Sequence, residues 1–140
     1  MKNFHLNLNL KHTIPFVAGA VIMAVPPMMQ QAFADAASEV VNAQTHAGLA
    51  AGSAKIEGVH THLHHTLNCL VGPAGKGFDA KEMNPCANAG AGAIPDTADA
   101  AKKAKLEAAA DKARAGLAAT DLAAAQKAAT DTAAMLKAAE

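Results

Sequence analysis

Apolar residues recur along this chain with the period of an amphipathic helix, and four segments carry the pattern. From Asp35 to about Ala51, the positions Ala37, Val40, Val41, Ala47 and Ala51 make one stripe, with Asp35 placed to cap the first turn. Gly52-Ser53 then reads as a helix end followed by the next N-cap, or as a point inside one continuous helix. Over residues 54–70, Ile56, Val59, Leu63, Leu67 and Leu70 fall at helical spacing and form the firmest stripe in the chain. A third helix is predicted over 97–117, capped by Asp96 or Thr97, with Leu106, Ala110, Ala113 and Leu117 as its seam. Thr120-Asp121 opens a fourth over 121–139, where Leu122, Ala125, Ala129, Ala133 and Leu136 repeat the pattern. Between Val71 and Pro95, Pro73, Pro85 and five glycines exclude a long regular element. The pattern predicts an all-α fold, an up-and-down four-helix bundle with a Gly/Pro loop at 71–95 between its second and third helices. The rival is a long antiparallel hairpin in which segments one and two, and three and four, each fuse.

The first 34 residues follow a different rule. Lys2 and Lys11 lie in a polar leader, an apolar stretch runs from Ile14 to Val25, and Ala32-Phe33-Ala34 precedes Asp35. That order is the signature of a secretory signal peptide, and the prolines at 15, 26 and 27 break the stretch before it reaches spanning length. The expectation is a leader at 1–34, a single helical domain at 35–140, a periplasmic location and no membrane association after cleavage. The whole chain has 12 basic and 12 acidic residues; the leader holds two lysines and no acid, so ten face twelve in the domain. This balance offers no electrostatic footprint for nucleic acid, which is not expected as a partner. With tryptophan and tyrosine absent, the core must be built largely from alanine and a few leucines.

Export gives the two cysteines a meaning. Cys69 and Cys86 flank a Gly/Pro-rich stretch, and an oxidising compartment favours joining them into a disulfide that staples the loop. In the chain-entropy view, closing a loop of this length contributes about 3 kcal/mol. The alternative, a thiolate metal site or a redox pair, lacks C-x-x-C spacing.

The densest chemistry in the chain lies in His60-Thr61-His62-Leu63-His64-His65, with Cys69 one helical turn further on. Neutral imidazole is the commonest protein metal ligand. Helical phase divides the run: His60 and His64 follow one flank of the stripe, His62 lies on the other, and His65 points almost directly away from the core. His60 and His64, four apart with Cβ atoms roughly 5–6 Å from each other, are the expected core ligands of one ion. A third ligand has to come from elsewhere, and His46 is the natural candidate. A continuous helix would hold His46 about 21 Å from His60, whereas a reversal at Gly52-Ser53 would let them meet. Val40 and Val41, however, turn the first helix's core face away from His46. His62 and His65, three apart and near Cys69, form a second pair, expected exposed and auxiliary.

Other chemistries are poorly supported. Gly72-Pro73-Ala74-Gly75-Lys76-Gly77 lacks the spacing of a phosphate-binding loop. Asp79 and Glu82 near Met83 lack the acid ladder of a calcium loop, and Ser38 and Ser53 lack a nucleophile's setting. The absence of C-x-x-C-H excludes covalent c-type haem and leaves non-covalent haem open. The Ala/Lys/Glu pattern of 98–139, with Lys102, Lys103, Lys105, Asp111 and Lys112, reads as a solvated face. No enzyme is expected.

In its leader, small size, helical pattern and histidine-bearing helix, the chain resembles the small periplasmic metal-binding four-helix proteins of bacteria. It departs from them in concentrating its histidines in one helix. The segment from His60 through Asn68-Cys69-Leu70-Val71-Gly72-Pro73 to Gly77-Phe78-Asp79 and Asn84-Pro85-Cys86 is also similar to an exported bacterial family of unsettled function. The first resemblance implies binding of copper, nickel or zinc. The expectation is therefore a periplasmic protein that buffers or transfers a transition-metal ion, Cu(II) ahead of Ni(II) and Zn(II) on intrinsic affinity. The alternative is a disulfide-stapled module that engages a periplasmic protein partner through its Gly/Pro loop.

Overall fold

The computed structural model describes residues 35–140. The leader assigned to 1–34 lies outside the described residues. Five helices follow in chain order: α1 (Ala36–Ala51), α2 (Ile56–Val71), the single turn α3 (Ala93–Asp96), α4 (Ala100–Ala118) and α5 (Leu122–Lys137). The described residues are all-helical, without a strand.

Local chemistry sets the boundaries. Asp35, Asp99 and Asp121 each sit just before a helix and accept a backbone N–H from its first turn, at Ser38, Lys102 and Ala124 respectively. Each such cap satisfies a donor that the helix itself cannot pair, a contribution of about 1 kcal/mol. The start of α4 falls later than the pattern suggested because Asp96 is occupied elsewhere: it ends α3, and its Oδ2 accepts the Ala91 N–H at 2.7 Å. The Gly/Pro loop thus holds one helical turn that its composition concealed. Ser53 is not the expected cap of α2; its hydroxyl donates back to the Leu49 carbonyl at 2.9 Å, and α2 begins at Ile56. The chain does break between α1 and α2, so these two helices are separate.

In packing, α1 lies against α2 and α5, and α4 lies against α5 and α2, with α3 touching α1, α2 and α4. Two apolar clusters fill the interior. One gathers Val40, Ala43, Ala47, Leu67, Leu70, Leu106 and Leu136 around the cysteines, and the other gathers Ala50, Val59, Leu63, Ala113, Ala125 and Ala129. Small residues allow close approach: a Cβ added at Gly116 would lie 2.6 Å from Leu63 Cδ1 and 3.1 Å from Ala128 Cβ. On α1 the buried stripe is Glu39, Val40, Ala43, Ala47 and Ala50, whereas Val41 is 50% exposed. The expected stripe through Val41 is therefore rotated, because α2 packs on alanines and not on the larger valine.

The loop between α2 and α4 is bound to the bundle at three levels. Cys69 and Cys86 form a disulfide, both residues buried. Asn68, fully buried, donates from Nδ2 to the Asp79 and Met83 carbonyls at 3.0 and 3.2 Å and accepts the Asp79 N–H at 2.9 Å. Gly72 and Gly92 then cross backbone to backbone, with φ of 64° and 119°; a Cβ at Gly72 would lie 1.6 Å from the Ala91 carbonyl oxygen. Only glycine allows both the left-handed φ and the approach.

Candidate metal centre

The break at Gly52-Ser53 folds α1 back against α2, which brings His46 to the middle of the α2 histidine run. Thr66, fully buried, secures this contact: its hydroxyl lies 2.9 Å from the His62 carbonyl and 3.2 Å from the Ala43 carbonyl of α1. Adjacent to that seam, His46, His62 and His65 converge. Their ring centroids are 5.6 Å (His46 to His62), 5.0 Å (His46 to His65) and 5.6 Å (His62 to His65) apart. One nitrogen from each ring lies within 4.8 Å of the other two.

The closest approach is His46 Nδ1 to His62 Nδ1, at 3.3 Å. A tetrahedral ion with bonds of about 2.0–2.1 Å requires ligand nitrogens about 3.3–3.4 Å apart, so this pair already has the spacing of two ligands. His65 is buried and the other two are half-buried, so one side of the cluster faces the interior while the other remains open to solvent. Burial is the main cause holding the His46 and His65 pKa values below the ordinary imidazole range. Neighbouring rings add to it, since a charge on one histidine disfavours a charge on the next; for His65 the Glu82 carboxylate opposes the shift. Both causes favour the neutral ring, which is the form that ligates metal.

The sequence-predicted ligands divide differently from their expected roles. His60 and His64, expected as the core pair, are drawn to separate partners: His60 Nε2 donates to the Ala119 carbonyl at 3.1 Å, and His64 Nδ1 faces Asp79 Oδ2 at 3.8 Å. Neither belongs to a group of three candidate ligands among the described residues. His62 and His65, expected on the exposed side, instead meet His46. His65 is only 6% exposed, because the stapled loop covers the face of α2 that a single-helix reading leaves to water. Cys69, one turn beyond His65, is in the disulfide and supplies no thiolate.

Asn68, and the loop acids Asp79 and Glu82 that lack a calcium loop's ladder, acquire roles the sequence did not announce. Asn68 holds the loop, and the two acids face His64 and His65. Two signals for the site lay in the sequence: the i, i+3 spacing of His62 and His65, since residues three apart share a helix face, and the reversal at Gly52-Ser53 that brings His46 to the α2 histidines. Comparison with protein-family models, curated proteins and solved structures finds no match. Among the described residues, no helix is long and apolar enough to cross a membrane.

Proposed function

We propose that this protein binds one divalent transition-metal ion through His46, His62 and His65, and that it buffers or transfers that ion in the periplasm after removal of its leader. The convergence of three imidazoles from two helices, with one nitrogen each inside 4.8 Å, carries the reading. Three nitrogen ligands without a thiolate rank Cu(II) above Ni(II) and Zn(II) on intrinsic affinity. The half-buried His46 and His62 give an ion a route to solvent, as exchange with a partner requires. An oxidising compartment agrees with the Cys69–Cys86 disulfide. The four long helices are read as an up-and-down bundle, consistent with each packing on two neighbours. The protein acts as a carrier, not as an enzyme.

Calorimetry with Cu(II) tests the assignment. Joint substitution His46→Ala, His62→Ala and His65→Ala is expected to weaken binding about 100-fold or more, since the loss of all three imidazoles leaves no chelate. The pair His60→Ala and His64→Ala is expected to change affinity less than about threefold. The reverse pattern would return the site to the His60 and His64 flank.

A further inference from the structure

Glu82 reaches the histidine cluster from the stapled loop. Its Oε2 lies 3.6 Å from His65 Nε2, while the other ring nitrogen, Nδ1, is buried and has no hydrogen-bond partner. Glu82 is outside the set of mutually close ligand atoms, so its place is behind a ligand and not among the ligands. The loop presents it there because Asn68 binds the Asp79 and Met83 carbonyls on either side, and Cys86 ties the following segment to Cys69.

We infer that Glu82 is the positioning carboxylate of the metal site, accepting the His65 Nε2 proton as a hydrogen bond so that the lone pair of Nδ1 is left for the ion. This inference rests on the proposed metal-binding role. A neutral imidazole carries one N–H and one lone pair, and the partner of the N–H decides which nitrogen is which. A carboxylate on Nε2 selects the Nε2–H tautomer and makes Nδ1 a stronger base. A bound cation in turn polarises the ring, makes the N–H a better donor, and draws it the remaining few tenths of an ångström toward Glu82. Such outer partners typically contribute 10–100-fold to metal affinity. Buried Nδ1, a desolvated acceptor with nothing to accept from, is a cost to the fold that an ion would relieve.

The stapled loop thereby acquires a second task. It closes the bundle and also carries the group that orients the buried ligand, so metal affinity depends on a segment that contributes no ligand of its own.

The test uses the disulfide-intact protein at fixed pH, with Zn(II) as the probe for calorimetry and long-range proton–nitrogen NMR for the tautomer. Glu82 is one-third exposed, so its substitution leaves the core intact. Glu82→Ala is expected to weaken Zn(II) binding about 10–100-fold and to abolish the preference of His65 for the Nε2–H form. Glu82→Gln, whose amide oxygen still accepts the proton, is expected to fall between the two in affinity and to retain the tautomer. If wild-type binding is lost in the triple histidine variant while Glu82→Ala leaves both affinity and tautomer unchanged, the inference about Glu82 is overturned and the metal site stands. If the triple variant binds as tightly as wild type, the metal site itself is overturned.

Discussion

Replacing Cys69 and Cys86 together by alanine is expected to lower the melting temperature by about 12–24 °C. They lie 17 positions apart in sequence, and removing a crosslink of that size costs about 3 kcal/mol in the chain-entropy model. In a domain of this size each kcal/mol corresponds to about 4–8 °C. The effect is large relative to the whole, since a domain the size of the described residues 35–140 has roughly 5–15 kcal/mol of net stability. Far-UV circular dichroism should show the helices still formed at low temperature, because their caps and their alanine seams lie outside the loop. A melting temperature within about 2 °C of wild type would mean that Asn68 and the Gly72–Gly92 crossing hold the loop without the disulfide.

Glu39→Gln is expected to stabilise the protein at pH 8, with the advantage vanishing near pH 4.5. Glu39 is fully buried on α1; its Oε1 accepts the Gly92 N–H at 3.0 Å, and its Oε2 has no partner. Burial, followed by the nearby Asp96 carboxylate, pushes its pKa up from 4.5 to about 7. The fold therefore prefers the protonated acid. Below about pH 4.5 both folded and unfolded states hold the proton, and Glu39 imposes no penalty. Between about 4.5 and 7 the unfolded chain releases the proton more readily, and stability falls; above about 7 the whole penalty is present. At about 1.4 kcal/mol per pH unit the penalty is on the order of 3 kcal/mol.

Glutamine keeps the acceptor for Gly92 and offers an N–H toward Asp96 without the charge, so a gain of about 10 °C or more at pH 8 is expected. His46 and His65 act in the opposite sense. Their lowered pKa values make the folded state resist protonation, so they remove stability as pH falls below about 6.5. The difference between wild type and Glu39→Gln cancels that contribution, and urea unfolding from pH 4 to 8 reads the Glu39 part alone. A difference that does not vary with pH would contradict this account.

Much of the fold could be read from the residues because helix-making signals are local. Asp35 and Asp121 act as caps where the pattern put them, and Leu63, Leu67, Leu70, Leu106 and Leu136 are buried as their spacing required. Export logic led to the Cys69–Cys86 bond. The site was less legible for two physical reasons. Ranking Val41 above its alanine neighbours rotated α1 in the reading, while the structure packs α1 on Ala43 and Ala47 and so turns His46 toward α2.

The second reason is the loop. Treating α2 as having one wet face placed His65 in water, whereas its C-terminal half is buried from His65 through Val71 because the stapled segment wraps it. No helical period records that covering, which depends on Asn68 and on a disulfide between cysteines 17 positions apart. His60 and His64 do share a flank as expected. What spacing could not say is that the Ala119 carbonyl and the Asp79 carboxylate stand against them.

The central claim is that His46, His62 and His65 hold one ion together. Titrating the protein with Zn(II) while following the imidazole nitrogens by NMR tests it most directly, since a ligating nitrogen shifts and the others do not. The expected result is saturation at one equivalent, with one nitrogen shifting in each of His46, His62 and His65 and no such shift in His60 or His64. Coordination shifts confined to His60 and His64, or no shift in any of the three converging rings, would contradict it.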